Sequence, residues 1–139
     1  MEGMSVGQTI ALYVIALLVF LVIDLVWLGV IAKERYRKAL KKFLVKTYDP
    51  KRAFTFYMVY IVGLLIMAVI PAINQDSLGV AMARGLGYGF FTYATYGLTN
   101  WAVVKDWPTR ITFEDIAWGT FLGFMVATVS FNIYTAIFV

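Results

Sequence analysis

Two aspartates in this chain are each followed, three residues on, by a tryptophan: Asp24 with Trp27, and Asp115 with Trp118. On an α-helix that spacing places acid and indole on one face. A carboxylate in such a place can hold a cation or a proton, and a ring beside it can screen it from water. Asp24 is the more telling of the two, because it is the one charge between Gly3 and Ala32. A stretch of that length crosses a bilayer. An ionisable group inside it costs roughly 2.5–3.5 kcal/mol on insertion scales, so it faces a partner or a water-filled interior rather than lipid.

The elements that must position these acids follow from hydropathy. Of 139 residues 62% are hydrophobic and 14% charged, and the mean hydropathy is +0.81. Those values are far from the balance of a soluble domain. The pattern predicts an all-α membrane protein made of one four-helix transmembrane domain, with helices at about 8–32, 50–73, 79–104 and 112–138, each meeting the requirement of about 20 residues. The first run lacks a basic leader and a small-residue cleavage site and reads as a retained helix. Cysteine and histidine are both absent, which excludes thiolate chemistry and the commonest metal ligand, and no cofactor or metal is expected.

Nine of the twelve Lys and Arg residues lie between Lys33 and Arg52, and Lys105 and Arg110 lie in the third connection. Short connections rich in Lys and Arg stay in the cytoplasm, so both termini and the Asn74–Leu78 turn are expected outside. The same residues account for the net charge of +4, and a nucleic-acid partner has little support. Within the first connection Tyr36, Leu40, Phe43, Leu44 and Thr47 recur at helical spacing, which predicts a short amphipathic helix on the inner leaflet. Lys38, Lys41 and Lys42 on it are candidates for contact with lipid headgroups. Asp49-Pro50 supplies an N-cap followed by proline at the first helical position and marks the start of helix two, which reads chiefly as a wall.

Small residues recur every fourth position on helix three (Ala81, Gly85, Gly89, Gly97) and again on helix four (Gly119, Gly123, Ala127). Such faces admit close approach of another backbone. They predict packing of helix three against helix four, or of either against its copy in a homodimer.

Depth estimates at 1.5 Å per residue put Asp24 about 12 Å from the inner end of helix one and Asp115 about 5 Å into helix four. Asn100, Tyr93 and Tyr96 fall at comparable levels. An inner polar cluster of Asp24, Tyr93, Tyr96, Asn100 and Asp115, flanked by Trp27 and Trp118, is the leading candidate site. Each member also has a plainer reading. Thr112 and Asp115 fit a capping pattern at the start of helix four, and Asp24 can be a structural acid bonded by tyrosine and asparagine. Arg84, about 8 Å below the outer surface, either snorkels outward or forms an outer polar site with Asn132, Ser130 or Tyr134.

The segments Val22–Gly29, Tyr93–Asn100, Lys105–Pro108 and Asp115–Thr120, in that order, resemble a bacterial family of four-helix inner-membrane proteins catalogued as domain of unknown function 2177. The resemblance covers nearly the whole chain. It implies a multi-pass protein of the bacterial inner membrane, sometimes encoded beside enzymes that modify fatty acyl chains, with no established activity. It also implies that relatives often carry an aspartate where this chain has Gly97, so the inner cluster here lacks one acid. Asp24, Asn100, Asp115 and Trp118 match the family's pattern.

These observations point first to a small transporter or channel-like protein with an intramembrane acidic site at Asp24. The alternative is a lipid-binding protein or a partner of lipid enzymes. An intramembrane hydrolase ranks last, since Asp24 and Asp115 can act as acid and base only within hydrogen-bonding range of each other.

Overall fold

The computed structural model describes residues 3–31, 33–43 and 49–139, apart from the side chains of residues 31, 33 and 36. Leu44 and Thr47 of the expected amphipathic segment lie outside the described residues. The described residues are almost wholly helical. Helix α1 spans Val6–Val26 and continues as a π-turn over Trp27–Ile31; α2 is Lys33–Leu40. Helix α3 (Pro50–Leu64) runs through a second π-turn (Leu65–Val69) into α4 (Ile70–Asn74), followed by α5 (Leu78–Val103) and α6 (Thr109–Phe138). Among the described residues three helices are long and apolar enough to cross a bilayer: Val6–Val30, Pro50–Asn74 and Thr109–Phe138. Helix α5 is equally long, but its glycines, tyrosines and Arg84 lower its hydropathy.

Local chemistry explains the helix ends. Ser5 and Gln8 form a reciprocal capping box, with Gln8 N donating to Ser5 Oγ at 3.1 Å and Ser5 N donating to Gln8 Oε1 at 3.0 Å. The helix therefore starts two residues earlier than hydropathy alone suggested. Asp49 caps α3 as expected, accepting from Lys51 N at 2.9 Å, with Pro50 at the first position. The turn after α4 closes with Asp76 at φ 49°, where Ser77 N donates back to the Ala72 carbonyl. This is a left-handed C-cap.

The predicted capping role of Asp115 is not found. Helix α6 begins at Thr109 after Pro108, and the Thr112 hydroxyl donates backward to the Pro108 carbonyl at 2.8 Å. Asp115 thus sits well inside the helix, beyond the first-turn N–H groups that an acid caps.

The glycine faces meet inside the chain. A methyl on Gly89 would strike the Gly119 carbonyl, and one on Gly123 would stand 2.8 Å from the Gly89 Cα. Helices α5 and α6 therefore cross backbone to backbone, the most extensive helix contact in the fold. Of the two expected packings, that of helix three against helix four is the one seen, and these glycines cover each other.

The second span approaches α5 chiefly through Leu65–Val69 and Ile70–Asn74 rather than through Pro50–Leu64. The bundle is thus sealed at the end carrying Ala68, Val69 and Ala72, all fully buried, and splayed at the end nearer the first and third connections. The π-turn at the sealed end has a local cause. Pro71 has no N–H for the Met67 carbonyl four residues before it, and the ladder slips so that Ile70 N bonds the Leu65 carbonyl. Arg84 Nη1 reaches across from α5 and donates to the Met67 carbonyl at 3.3 Å. The expected outer polar site is therefore not assembled, since Arg84 turns to the second span and Asn132 is exposed.

Candidate functional site

In the splayed half a cavity of about 390 Å³ opens among all four long helical segments, within the roughly 300–1,000 Å³ of small-molecule sites. Helix α1 and its π-turn contribute Asp24, Trp27 and Leu28; α3 contributes Ala53, Phe56, Tyr57 and Tyr60; α5 contributes Thr92, Tyr93 and Tyr96; α6 contributes Asp115 and Trp118. Both aspartate–tryptophan pairs thus open on the same space.

Their meeting corrects the depth estimate. Because α6 starts three residues earlier than expected, Asp115 lies about 9 Å from its start, close to the level of Asp24. The indoles of Trp27 and Trp118 stack with centroids 4.3 Å apart and planes 7° from parallel. Asp24, Asp115 and Trp118 line the same side of the cavity, close enough for the two acids to interact electrostatically. Asp24 is 7% exposed. Among the described residues lining the cavity none is Lys or Arg.

The far wall is aromatic. Phe20 packs on Tyr57 and Tyr60 at 5.3 and 5.1 Å, and Tyr93 meets Tyr60 edge-on at 6.3 Å. The Tyr88 hydroxyl donates to the Tyr60 carbonyl at 2.9 Å. That tie lets Tyr88 cross to α3 where Gly63 has no side chain, since a methyl there would strike the Tyr88 hydroxyl. Tyr60 itself is 4% exposed and lines the cavity, and its hydroxyl has no hydrogen-bond partner among the described residues.

Of the predicted cluster, Asp24, Trp27, Tyr93, Tyr96, Asp115 and Trp118 come together. Asn100 does not: it shares a face with Tyr93 and Tyr96 but lies one turn past the rim. Tyr96, at 59% exposure, stands at that rim edge-on to Trp107, which packs on Phe43 at 5.1 Å. The segment after α1 is held there by ion pairs, Arg35 to Glu114 at 2.9 Å and Lys42 to Asp106 at 3.2 Å. Lys38 and Lys41 are exposed. Tyr57, Tyr60 and Phe56 were overlooked, because a helix without charge reads as a wall. The signal was present in three aromatic residues at one end of helix two, the end facing Asp24.

Residues 9–132 match the model of a family described as predicted membrane protein (DUF2177). The chain belongs to this family. The DUF2177 region takes in every residue that lines the cavity, from Asp24 to Trp118. Comparison with the curated proteins and with the solved structures gave no match in either.

Chemically, the arrangement offers two carboxylates, an indole N–H, tyrosine hydroxyls and aromatic faces in one recess.

Proposed function

We propose that this DUF2177 member is a small four-span transporter or channel-like protein of the bacterial inner membrane, with Asp24 and Asp115 forming the binding site for a cationic or protonatable solute. One observation carries the reading: two carboxylates from different helices, Asp24 and Asp115, line the same cavity. A charge in a membrane interior is retained where it serves a pathway. Length supports α5 as the fourth span, since its 26 residues reach about 39 Å. The basic first connection favours the cytoplasm for the splayed end and the outside for both termini.

The lipid-binding alternative gains less from the geometry. Lys42 is engaged with Asp106, and an acidic recess repels the phosphate of a headgroup.

The test is flux. Purified protein in proteoliposomes loaded with a pH-sensitive dye should pass protons or exchange them for a cationic solute, and Asp24→Asn should abolish this while Asp24→Glu retains it. Flux unchanged in Asp24→Asn overturns the proposal.

A further inference from the structure

The cavity has a side that faces the bilayer, along the seam between α3 and α5. From the bond of the Tyr88 hydroxyl to the Tyr60 carbonyl the two helices diverge toward the first and third connections. Phe56 of α3 and Tyr96 of α5 both line the cavity there, and they are 53% and 59% exposed. We infer that one acyl chain of an anionic phospholipid lies in this seam, with its phosphate at Arg52 and Lys105, and walls the cavity off from the bilayer. The inference rests on α5 being a fourth span and goes beyond the acidic site: the lipid is a resident partner, not the solute.

Depth makes the occupant a hydrocarbon chain. At 1.5 Å per residue Phe56 lies about 9 Å along α3 from Pro50, and Tyr96 about 10 Å along α5 from Val103. The headgroup layer of one leaflet is about 5–8 Å thick, so both rings stand beside acyl chains. The groove runs about 12 Å from the level of Arg52 to that of Tyr60, most of the roughly 15 Å of hydrocarbon in one leaflet. Its walls are apolar or satisfied. Phe56 stacks on Tyr60 at 6.1 Å, and the Thr92 hydroxyl donates to the Tyr88 carbonyl of its own helix at 2.8 Å.

Charge selects the headgroup. Arg52 stands four residues before Phe56 on the same face of α3, and Lys105 follows the end of α5; both are exposed, one on each side of the shallow end of the seam. Asp49 lies 3.5 Å from Arg52, but the arginine side chain is 90% exposed, and so open a pair binds weakly. Arg35 and Lys42, by contrast, are engaged with Glu114 and Asp106. The phosphate stays at the rim, clear of Asp24 and Asp115, and only the tail reaches the cavity. A second copy of the chain fits the seam less well. A two-fold axis along the membrane normal brings Arg52 and Lys105 of both copies to one level, where like charges repel.

The test is photochemical. Full-length protein with p-benzoylphenylalanine in place of Phe56 is set in nanodiscs of equal phosphatidylglycerol and phosphatidylcholine, irradiated, and its lipid adducts are weighed by mass spectrometry. Adducts should favour phosphatidylglycerol about fivefold or more, the order expected for each basic residue that meets an anionic lipid. The same probe in place of Phe91, 70% exposed on α5, should return the ratio of the disc. Arg52→Gln with Lys105→Gln should bring the Phe56 adducts to that ratio. Lys38→Gln with Lys41→Gln, which removes equal charge from α2 and the residue after it, should leave the preference in place, all variants keeping the circular dichroism of the parent.

Phe56 adducts in the ratio of the disc, equal enrichment at Phe91, equal loss on either double substitution, or cross-links to a second copy in place of lipid overturn the inference. If flux depends on Asp24 while the Phe56 adducts show no preference, the lipid falls and the acidic site stands. If the preference is found while Asp24→Asn leaves flux unchanged, the acidic site falls and the lipid stands.

Discussion

Replacing Arg84 by leucine tests the reasoning about the sealed end, because its effect depends on a residue in another helix. Pro71 leaves the Met67 carbonyl without its helical donor, and Arg84 supplies one at 3.3 Å. Interhelical hydrogen bonds in membranes are worth about 0.6 kcal/mol on average and up to about 1.7, and a charged donor lies toward the upper end. Arg84→Leu should therefore cost about 1–2 kcal/mol. In a Pro71→Ala background the alanine N–H serves that carbonyl directly, and Arg84→Leu should cost only a few tenths of a kcal/mol by the same scale. The coupling is thus about 1 kcal/mol, above the roughly 0.3–0.5 kcal/mol within which independent sites add. The assay is a double-mutant cycle on unfolding in mixed micelles titrated with sodium dodecyl sulfate, followed by tryptophan fluorescence. Additive losses would show that Arg84 does not act through the Met67 carbonyl.

The glycines give a second contrast: Gly89→Ala should destabilise by about 0.5–2 kcal/mol, overpacking less the gain in helix propensity. Gly97→Ala, whose methyl would lie 3.5 Å from Ile116, should be neutral or slightly stabilising, and the same micelle titration compares them. Tyr88→Phe should lose about 1 kcal/mol with its bond to the Tyr60 carbonyl, whereas Tyr60→Phe, which removes a hydroxyl with no partner, should lose nothing; thermal unfolding in detergent distinguishes the two. Arg35→Gln should change stability by less than about 1 kcal/mol, since the arginine of this ion pair is half-exposed. It should speed hydrogen exchange in Lys33–Leu40, which the pair ties to α6.

The membrane character of the chain and its helix order were legible in the sequence because hydropathy and basic connections act over whole segments. So was Asp24, since a lone charge in an apolar run stands out whatever its surroundings. The partners of that acid were only half legible. Tyr93, Tyr96 and Asp115 were found by depth, but depth says nothing of rotation or of where a cavity ends, which is why Asn100 was included and Tyr57 and Tyr60 were not. Thr112 misled because Thr-x-x-Asp fits a cap equally well one turn inside a helix, and Pro108 decided the start. Arg84 could not be placed without seeing that Pro71 strips a donor from a neighbouring helix.

Of the three apolar spans, the helix that delivers Asp24 is the least embedded in protein. Much of its grip on the bundle near the acid comes from the rings themselves, Phe20 on the tyrosines and Trp27 on Trp118. A guest that slides between those two indoles would loosen the rod carrying the acid, so occupancy and the tilt of that rod are mechanically geared to one another.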